Sequence, residues 1–474
     1  MSTDTAVASD CLHERAQIGD SRFHGHNYAT PDSRRIYCDV CRLQRWLDVE
    51  AALALSAAEV GLIPSAAAEE IARCANVDAL DLDEVRAEIQ RSGHSLVPLL
   101  HALENACADG AGEFVHYGAT TQDISDTAQA LEMRDALDVV DHGLAAVLQR
   151  LEELAVSHRD SLMIGRTHAR AALPMTFGLK VAGWIDELLR QADRLDDLRA
   201  RALVAELFGG VGTMASFAGL GPQLLRRFAA RLSLDVPAVS WHVSRDRVAE
   251  FVIDLAMLSG TLARIADEIR TLGRPEFGEL EEGWRPGRVG SSTMPHKRNP
   301  EQCEQVVALA RLARASADIA LEAMVGEHER DSRGLRLEWV AVADVSHHAL
   351  AALAITRHVL AELRVHEATM AEQAQARRDE ICSEALMLSV GKHIGKQSAH
   401  EVVYQLSQRA HDDGGSLQVV AGESSQVTAA LSRAELDAVF EPDGQTGEAG
   451  ALVDRVVANL EQWKAKRGGC YADA

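Results

Sequence analysis

Residues 287–300 read Gly-Arg-Val-Gly-Ser-Ser-Thr-Met-Pro-His-Lys-Arg-Asn-Pro. Two glycines, two serines, a threonine and two prolines in so short a stretch do not sustain a helix. The end of the stretch starts one. Asn299 suits an N-cap, Pro300 the first turn and Glu301 the position after it. The segment therefore reads as a flexible loop that feeds a helix N-terminus, where unpaired N–H groups and the helix dipole favour anions. It also holds Lys297, one of only six lysines beside 42 arginines.

On both sides this polar island is flanked by apolar helical stretches. From Val248 to Leu272, Phe251, Leu255, Leu258, Leu262, Ile265 and Ile269 recur at spacings of three and four. Most other positions in the first two-thirds of that segment are also apolar or small, which predicts a helix buried on all sides. The same period predicts helices over Thr127 to about Leu154, Gly178 to Leu207, Pro300 to about Met324 and Val340 to Leu363. Five such segments point to an all-α fold built on a long bundle, more apolar than one chain needs and so shared between subunits. Leu43, Leu47, Ala51 and Leu55 mark an earlier helix, from Arg34 to Ala57. Residues 1–30 read as a polar arm. Past residue 365 the helices shorten. The expected division is 1–115, 116–365 and 366–474.

Composition narrows the function. Apolar residues make up 47% of the 474 positions and aromatics only 4%, a mix that favours close-packed helices over a β sandwich. The net charge of −23 excludes a nucleic-acid surface as the main function. An acidic chain that binds an acidic substrate must gather positive charge locally. Eight scattered cysteines imply no disulfide framework. Cys38 and Cys41 form a C-x-x-C near His24 and His26, but with no second pair and a helical setting the expectation is no metal or redox centre. The N-terminus lacks the charged and apolar regions of a leader, and no apolar run reaches the length of a membrane span, so a cytoplasmic, reduced protein is expected, with no membrane partner.

The loop at 290–300 resembles the G-S-S-x-M-P-x-K-x-N-P signature of the fumarase/aspartase superfamily, matching all eight fixed positions. Residues 116–127, His-Tyr-Gly-Ala-Thr-Thr-Gln-Asp-Ile-Ser-Asp-Thr, are similar to the family's first region, and 165–178, Gly-Arg-Thr-His-Ala-Arg-Ala-Ala-Leu-Pro-Met-Thr-Phe-Gly, to its second. Leu43 to Leu55, Gln397 to Val402 and Leu452 to Val457 resemble the adenylosuccinate lyase and carboxymuconate cycloisomerase branch. The resemblance implies a three-domain, all-helical chain in a homotetramer, with each active site assembled from three subunits. It implies no cofactor and no metal.

The implied reaction is an anti elimination that takes a proton from the carbon beside a carboxylate and yields fumarate from a small dicarboxylate. By resemblance Ser291 is the base, used as an alkoxide or near-alkoxide, with Lys297 and loop N–H groups stabilising its charge and Asn299 holding a carboxylate. His168 and His94 are the candidate proton donors. His116, Thr120, Thr121, Gln122, Ser292, Met294 and Arg330 are candidate substrate contacts, with Arg333 and Arg336 as further arginines.

Two departures bear on the substrate. Asn27-Tyr28 stands where adenylosuccinate lyases have Arg-Tyr, which weakens a nucleotide reading. Arg170 replaces the usual glutamine, and its planar cation suits a carboxylate or nitro group. That combination is consistent with nitrosuccinate. The alternatives are a carboxymuconate-type cycloisomerase, an adenylosuccinate lyase and a catalytically silent structural relative.

Overall fold

The computed structural model describes residues 17–285 and 287–467. The chain is 70% helical with 4% strand, an all-α fold. Five long helices carry it: Thr121–Ser157, Phe177–Ala202, Asp246–Leu272, Glu301–Ala323 and Ser332–Glu362.

Their bounds depart from the periodicity where local polar chemistry intervenes. The first starts six residues early, because the Asp123 carboxylate reaches back to accept from Thr120 N at 2.9 Å and closes the first turn. The second stops at Ala202. The apolar run beyond it is extended instead, with Ala205 N donating to Asp235 O and Asp235 N to Leu203 O, both at 2.9 Å. The helix expected from Arg34 is two helices, Pro31–Tyr37 and Asp39–Glu59, broken at Cys38. Cys38 sits in extended geometry, and its sulfur accepts from Cys41 N at 3.4 Å, so the C-x-x-C begins a helix rather than lying inside one. The Asp246 helix buries its periodic positions yet leaves Met257 38% exposed, so it is not covered on all sides within one chain.

The chain forms two compact units, each built from three segments. The first holds the chain up to Gly143 with Gln191–Ala263 and Gln305–Ala354. In it the Asp39–Glu59 helix packs on Ser65–Cys74 and Gly221–Leu232. At its centre Arg245, 4% exposed, pairs with Asp126 at 2.7 Å and with Glu338, and lies over the Trp241 ring at 5.0 Å. Removing one member would strand a buried charge at a cost of about 3–5 kcal/mol.

The second unit holds Leu144–Arg190, Arg264–Glu304 and the chain from Ile355 onward. Its core is made by Ala374, Ile381, Leu386, Val390, Val403, Val420 and Phe440 of the short C-terminal helices, joined by Leu162 and Ile164. Those two belong to a hairpin of β1 (Leu162–Thr167) and β2 (Arg170–Thr176), which the helical period does not foretell.

Ser332–Glu362 is long and apolar enough to cross a membrane by length and composition, with a mean hydropathy of 1.3 over its most apolar window, contrary to the expectation that no such run exists. Of that window 56% is buried within the chain, as for a core helix.

Candidate active site

In the second unit, the hairpin presents one group of candidates. Thr167 and Arg170 form the last pair, leaving a two-residue turn of His168 and Ala169. Both have left-handed backbone, φ 49° and 62°. Turns of this kind favour Asn-Gly, because a Cβ costs about 1–2 kcal/mol at such angles. The hairpin is braced well enough to hold them. A bulge between Gly165 and Arg166 leaves Ala172 unopposed. The Arg166 guanidinium forks onto Glu279, fully buried, at 2.6 and 3.0 Å and lies 4.8 Å above the Phe277 ring. His168 and Arg170 are exposed at the tip.

The loop at 287–300, also in this unit, folds back on itself. Ser291 Oγ accepts from Met294 N at 3.0 Å and Thr293 N at 3.3 Å. Lys297 N donates to Met294 O at 3.1 Å, and Asn299 Nδ2 donates to Gly290 O at 2.6 Å. Gly290 is required by contact: a Cβ there would lie 2.2 Å from Lys297 O and 2.9 Å from Trp284 Cη2. Ser292, Met294 and Lys297 are exposed.

Two expectations for this loop are corrected. Asn299 does not cap the following helix; its amide closes the loop onto Gly290. Nor is that helix N-terminus open to a ligand anion. Glu282, 8% exposed, already occupies it, accepting from Cys303 N at 3.0 Å and Gln302 N at 3.3 Å. Arg288 pairs with the same carboxylate and donates to Gly283 O at 2.9 Å, while the Trp284 ring is flanked by the guanidiniums of Arg288 and Arg298 at 5.4 and 5.5 Å. Glu282 thus ties both ends of the Ser291 loop together.

In the first unit, Thr120 Oγ1 accepts from Arg330 Nη1 at 2.7 Å, and Arg330 Nη2 donates to Gly210 O at 2.6 Å. Thr121, half-buried, opens the long helix. Gln122 is turned inward: it is 3% exposed, and its amide nitrogen bonds Asp126 at 2.9 Å and His242 O at 2.8 Å. A substrate contact there would have to break the core. His116, at φ 58°, holds Glu50 Oε1 at 2.6 Å through Nδ1. His94 Nδ1 accepts from Val97 N at 3.1 Å and Leu96 N at 3.3 Å. Arg333 is exposed and pairs with Asp331, and Arg336 is exposed. Asn27 contributes its backbone, accepting from Gln305 Nε2 at 2.9 Å.

Asp123 organises this region. Its carboxylate, fully buried, takes Thr120 N, Phe208 N and Gly209 N, each at 2.9 Å, with His242 Nε2 also at 2.9 Å. Asp123, Glu206 and His242 lie close enough, within 4.8 Å, to suggest a cation site. Most of their atoms are already engaged: Glu206 Oε2 accepts from Trp241 N at 2.7 Å and His242 Nδ1 is 2.9 Å from Ser240 Oγ, while Glu206 Oε1 is buried without a hydrogen bond. The donor set fits a hydrogen-bonded hub better than a metal centre. Burial pushes the Glu206 carboxyl up to about 7.

Comparison with known proteins gives the family. Residues 25–314 match the family described as Lyase, and 380–456 the adenylosuccinate lyase C-terminus. The chain belongs to the fumarase/aspartase superfamily. Within it this lyase falls in the adenylosuccinate lyase branch. It is 39% identical over 433 residues to N-acetyl-S-(2-succino)cysteine lyase of Dickeya dadantii, covering 91% of this chain and 95% of that one. It is 36% identical over 427 residues to 3-carboxy-cis,cis-muconate cycloisomerase of Bradyrhizobium diazoefficiens, covering 90% and 95%. The crystal structure of a fumarate lyase from Mesorhizobium sp. BNC1 superposes with a TM-score of 0.85 at 35% identity, covering 91% and 98%.

The sequence reading of this lyase missed Glu50, Glu282 and the Asp123 hub. Glu50 and Glu282 are acidic residues in helical or loop sequence with no motif of their own, Asp123 lies inside the 116–127 motif, and for all three only the fold shows what they face.

Proposed function

We propose that the protein catalyses anti β-elimination from a 2-substituted succinate, giving fumarate. Ser291 takes the proton from the carbon beside one carboxylate, that C–H pair becomes the double bond, and the neighbouring bond breaks with its electrons leaving on the substituent. The observation that carries this reading is the Ser291 hydroxyl, whose oxygen accepts from two loop N–H groups, Met294 N at 3.0 Å and Thr293 N at 3.3 Å. Donors aimed at that oxygen stabilise the alkoxide that a serine base must become. Lys297 adds a compact cation to the same loop. His168 is the residue best suited to meet the leaving group: it stands exposed on a rigid hairpin, in a backbone conformation that a histidine takes only at a cost.

The relative of Dickeya dadantii makes an S-succinylated thiol the first substrate to try. Nitrosuccinate is the second, favoured by Arg170, which closes the His168-Ala169 turn opposite Thr167 and is exposed. The test is to supply each compound and follow fumarate, with thiol or nitrite as co-product. Fumarate from either supports the reaction class. Turnover of carboxymuconate without fumarate would replace it with the cycloisomerase reading.

A homotetramer with composite sites accompanies this proposal. Met257 of the Asp246 helix is exposed, and so are Leu312 and Leu321 of the Glu301 helix, at 41% and 50%. Gly260 has nothing within 4 Å of a Cβ position. Apolar and small residues left open on core helices fit a bundle shared between subunits.

A further inference from the structure

The histidines of the candidate site sit in opposite hydrogen-bond settings. His94 Nδ1 accepts two backbone N–H groups at the start of the Val97–Ala106 helix, so its proton resides on Nε2. A second proton at Nδ1 would set N–H against N–H and break both contacts. His116 is the reverse. Its Nδ1 lies 2.6 Å from Glu50 Oε1, and an ionised carboxylate only accepts, so Nδ1 carries a proton.

Glu50 has little choice of partner. It is 1% exposed, and its second oxygen is buried without a hydrogen bond. A buried carboxylate held by a single group is costly unless that group is charged. The charged groups that act most strongly on His116 are acids from three helices: Glu50 from Asp39–Glu59, Asp123 from Thr121–Ser157 and Glu104 from Val97–Ala106. Burial is the largest single influence and disfavours the charge. The Glu50 hydrogen bond and the surrounding carboxylates outweigh it, so His116 is held above the ordinary histidine range. The residue is also kept in left-handed backbone, φ 58°, a conformation uncommon for residues other than glycine.

We propose that Glu50 is a positioning residue that keeps His116 as an imidazolium, with Nε2–H the cationic donor to a carboxylate of the substrate. No proton leaves His116; its charge strengthens one hydrogen bond as negative charge grows on the carboxylate during proton abstraction. In a chain of net charge −23, such a local cation is what a dicarboxylate needs. The role rests on the reading of the protein as a lyase of substituted succinates.

Two measurements test it. In protein labelled at histidine Cε1 with carbon-13, the His116 signal is identified by its loss in His116→Asn and titrated in wild type and in Glu50→Gln. The wild-type ring is expected to titrate above about 6.5, and Glu50→Gln to bring it down by about one unit or more. An unchanged titration overturns the pairing, and this readout needs no substrate. Calorimetric binding of fumarate is then followed from about pH 6 to about pH 9. Affinity is expected to fall as His116 loses its proton, with Glu50→Gln weakening binding about 10- to 100-fold at neutral pH and moving the fall to lower pH. A variant that loses thermal stability without moving that pH limb makes Glu50 merely structural and overturns the proposal. Wild-type protein that binds no fumarate overturns the lyase reading and the donor role with it, while the titration still judges the pairing.

Discussion

The His168-Ala169 turn offers a test in which stability and activity move in opposite directions. Both residues have positive φ, 49° and 62°, in a two-residue hairpin loop. At such angles each Cβ costs about 1–2 kcal/mol. Glycine removes that cost but gives back about 0.5–1 kcal/mol through the greater freedom of the unfolded chain. Ala169→Gly should therefore stabilise the protein by about 0.5–1 kcal/mol. His168→Asn should stabilise it by a similar amount, since asparagine takes left-handed backbone more readily. The turn is exposed, so neither change disturbs packing. Urea unfolding of wild type, the two single variants and the double variant measures the gain as a rise in midpoint at constant slope. Fumarate formation measures the other side: Ala169→Gly keeps most of its turnover, and His168→Asn loses about 100-fold or more. A midpoint that falls in Ala169→Gly refutes the claim of stored strain. Turnover kept in His168→Asn refutes the claim that the strain is tolerated for catalysis.

Three further outcomes are expected. Glu282→Ala strands Arg288 and two helix N–H groups, so it should cost about 2–4 kcal/mol by denaturant unfolding and open residues 283–300 to limited proteolysis before the rest of the chain. Gly290→Ala drives a methyl group into Lys297 O and should cut turnover about 100-fold by displacing the Ser291 loop; unaltered kinetics would contradict the closed loop. Glu206 is raised in the folded state to about 7 by burial, above its unfolded value of about 4.3. A raised folded value means that its contribution is complete below about pH 4.3 and is lost as pH rises through about 7. Stability should thus drop by up to about 3 kcal/mol across that window, and Glu206→Gln should flatten the drop.

Much of the fold was legible because long amphipathic helices repeat one pattern many times. Phe251, Leu255, Leu258, Leu262, Ile265 and Ile269 are all buried, as their spacing requires. The hairpin was not legible. Leu162, Met163 and Ile164 are buried in succession, so β1 lacks the alternation that marks a strand. The break at Cys38 was hidden because its sulfur caps the next helix in place of the usual hydroxyl or carboxylate. In the site, Ser291 could be found because its motif is contiguous. Glu282 could not, since it reaches across twenty residues to take the helix end whose sequence suits Asn299 as the cap. Gln122 reads as a ligand contact from its place beside Thr120 and Thr121, which are half-buried, but a helix start turns successive side chains to different sides and Gln122 points into the core.

Whether Ser291 takes the proton whose loss releases fumarate is decided by comparing wild type with Ser291→Ala on N-acetyl-S-(2-succino)cysteine and nitrosuccinate, following fumarate in both. Wild type is expected to give fumarate from at least one compound, and the variant to lose about 1,000-fold or more while melting at the wild-type temperature. Fumarate released by Ser291→Ala at the wild-type rate would contradict the assignment of Ser291 as the base.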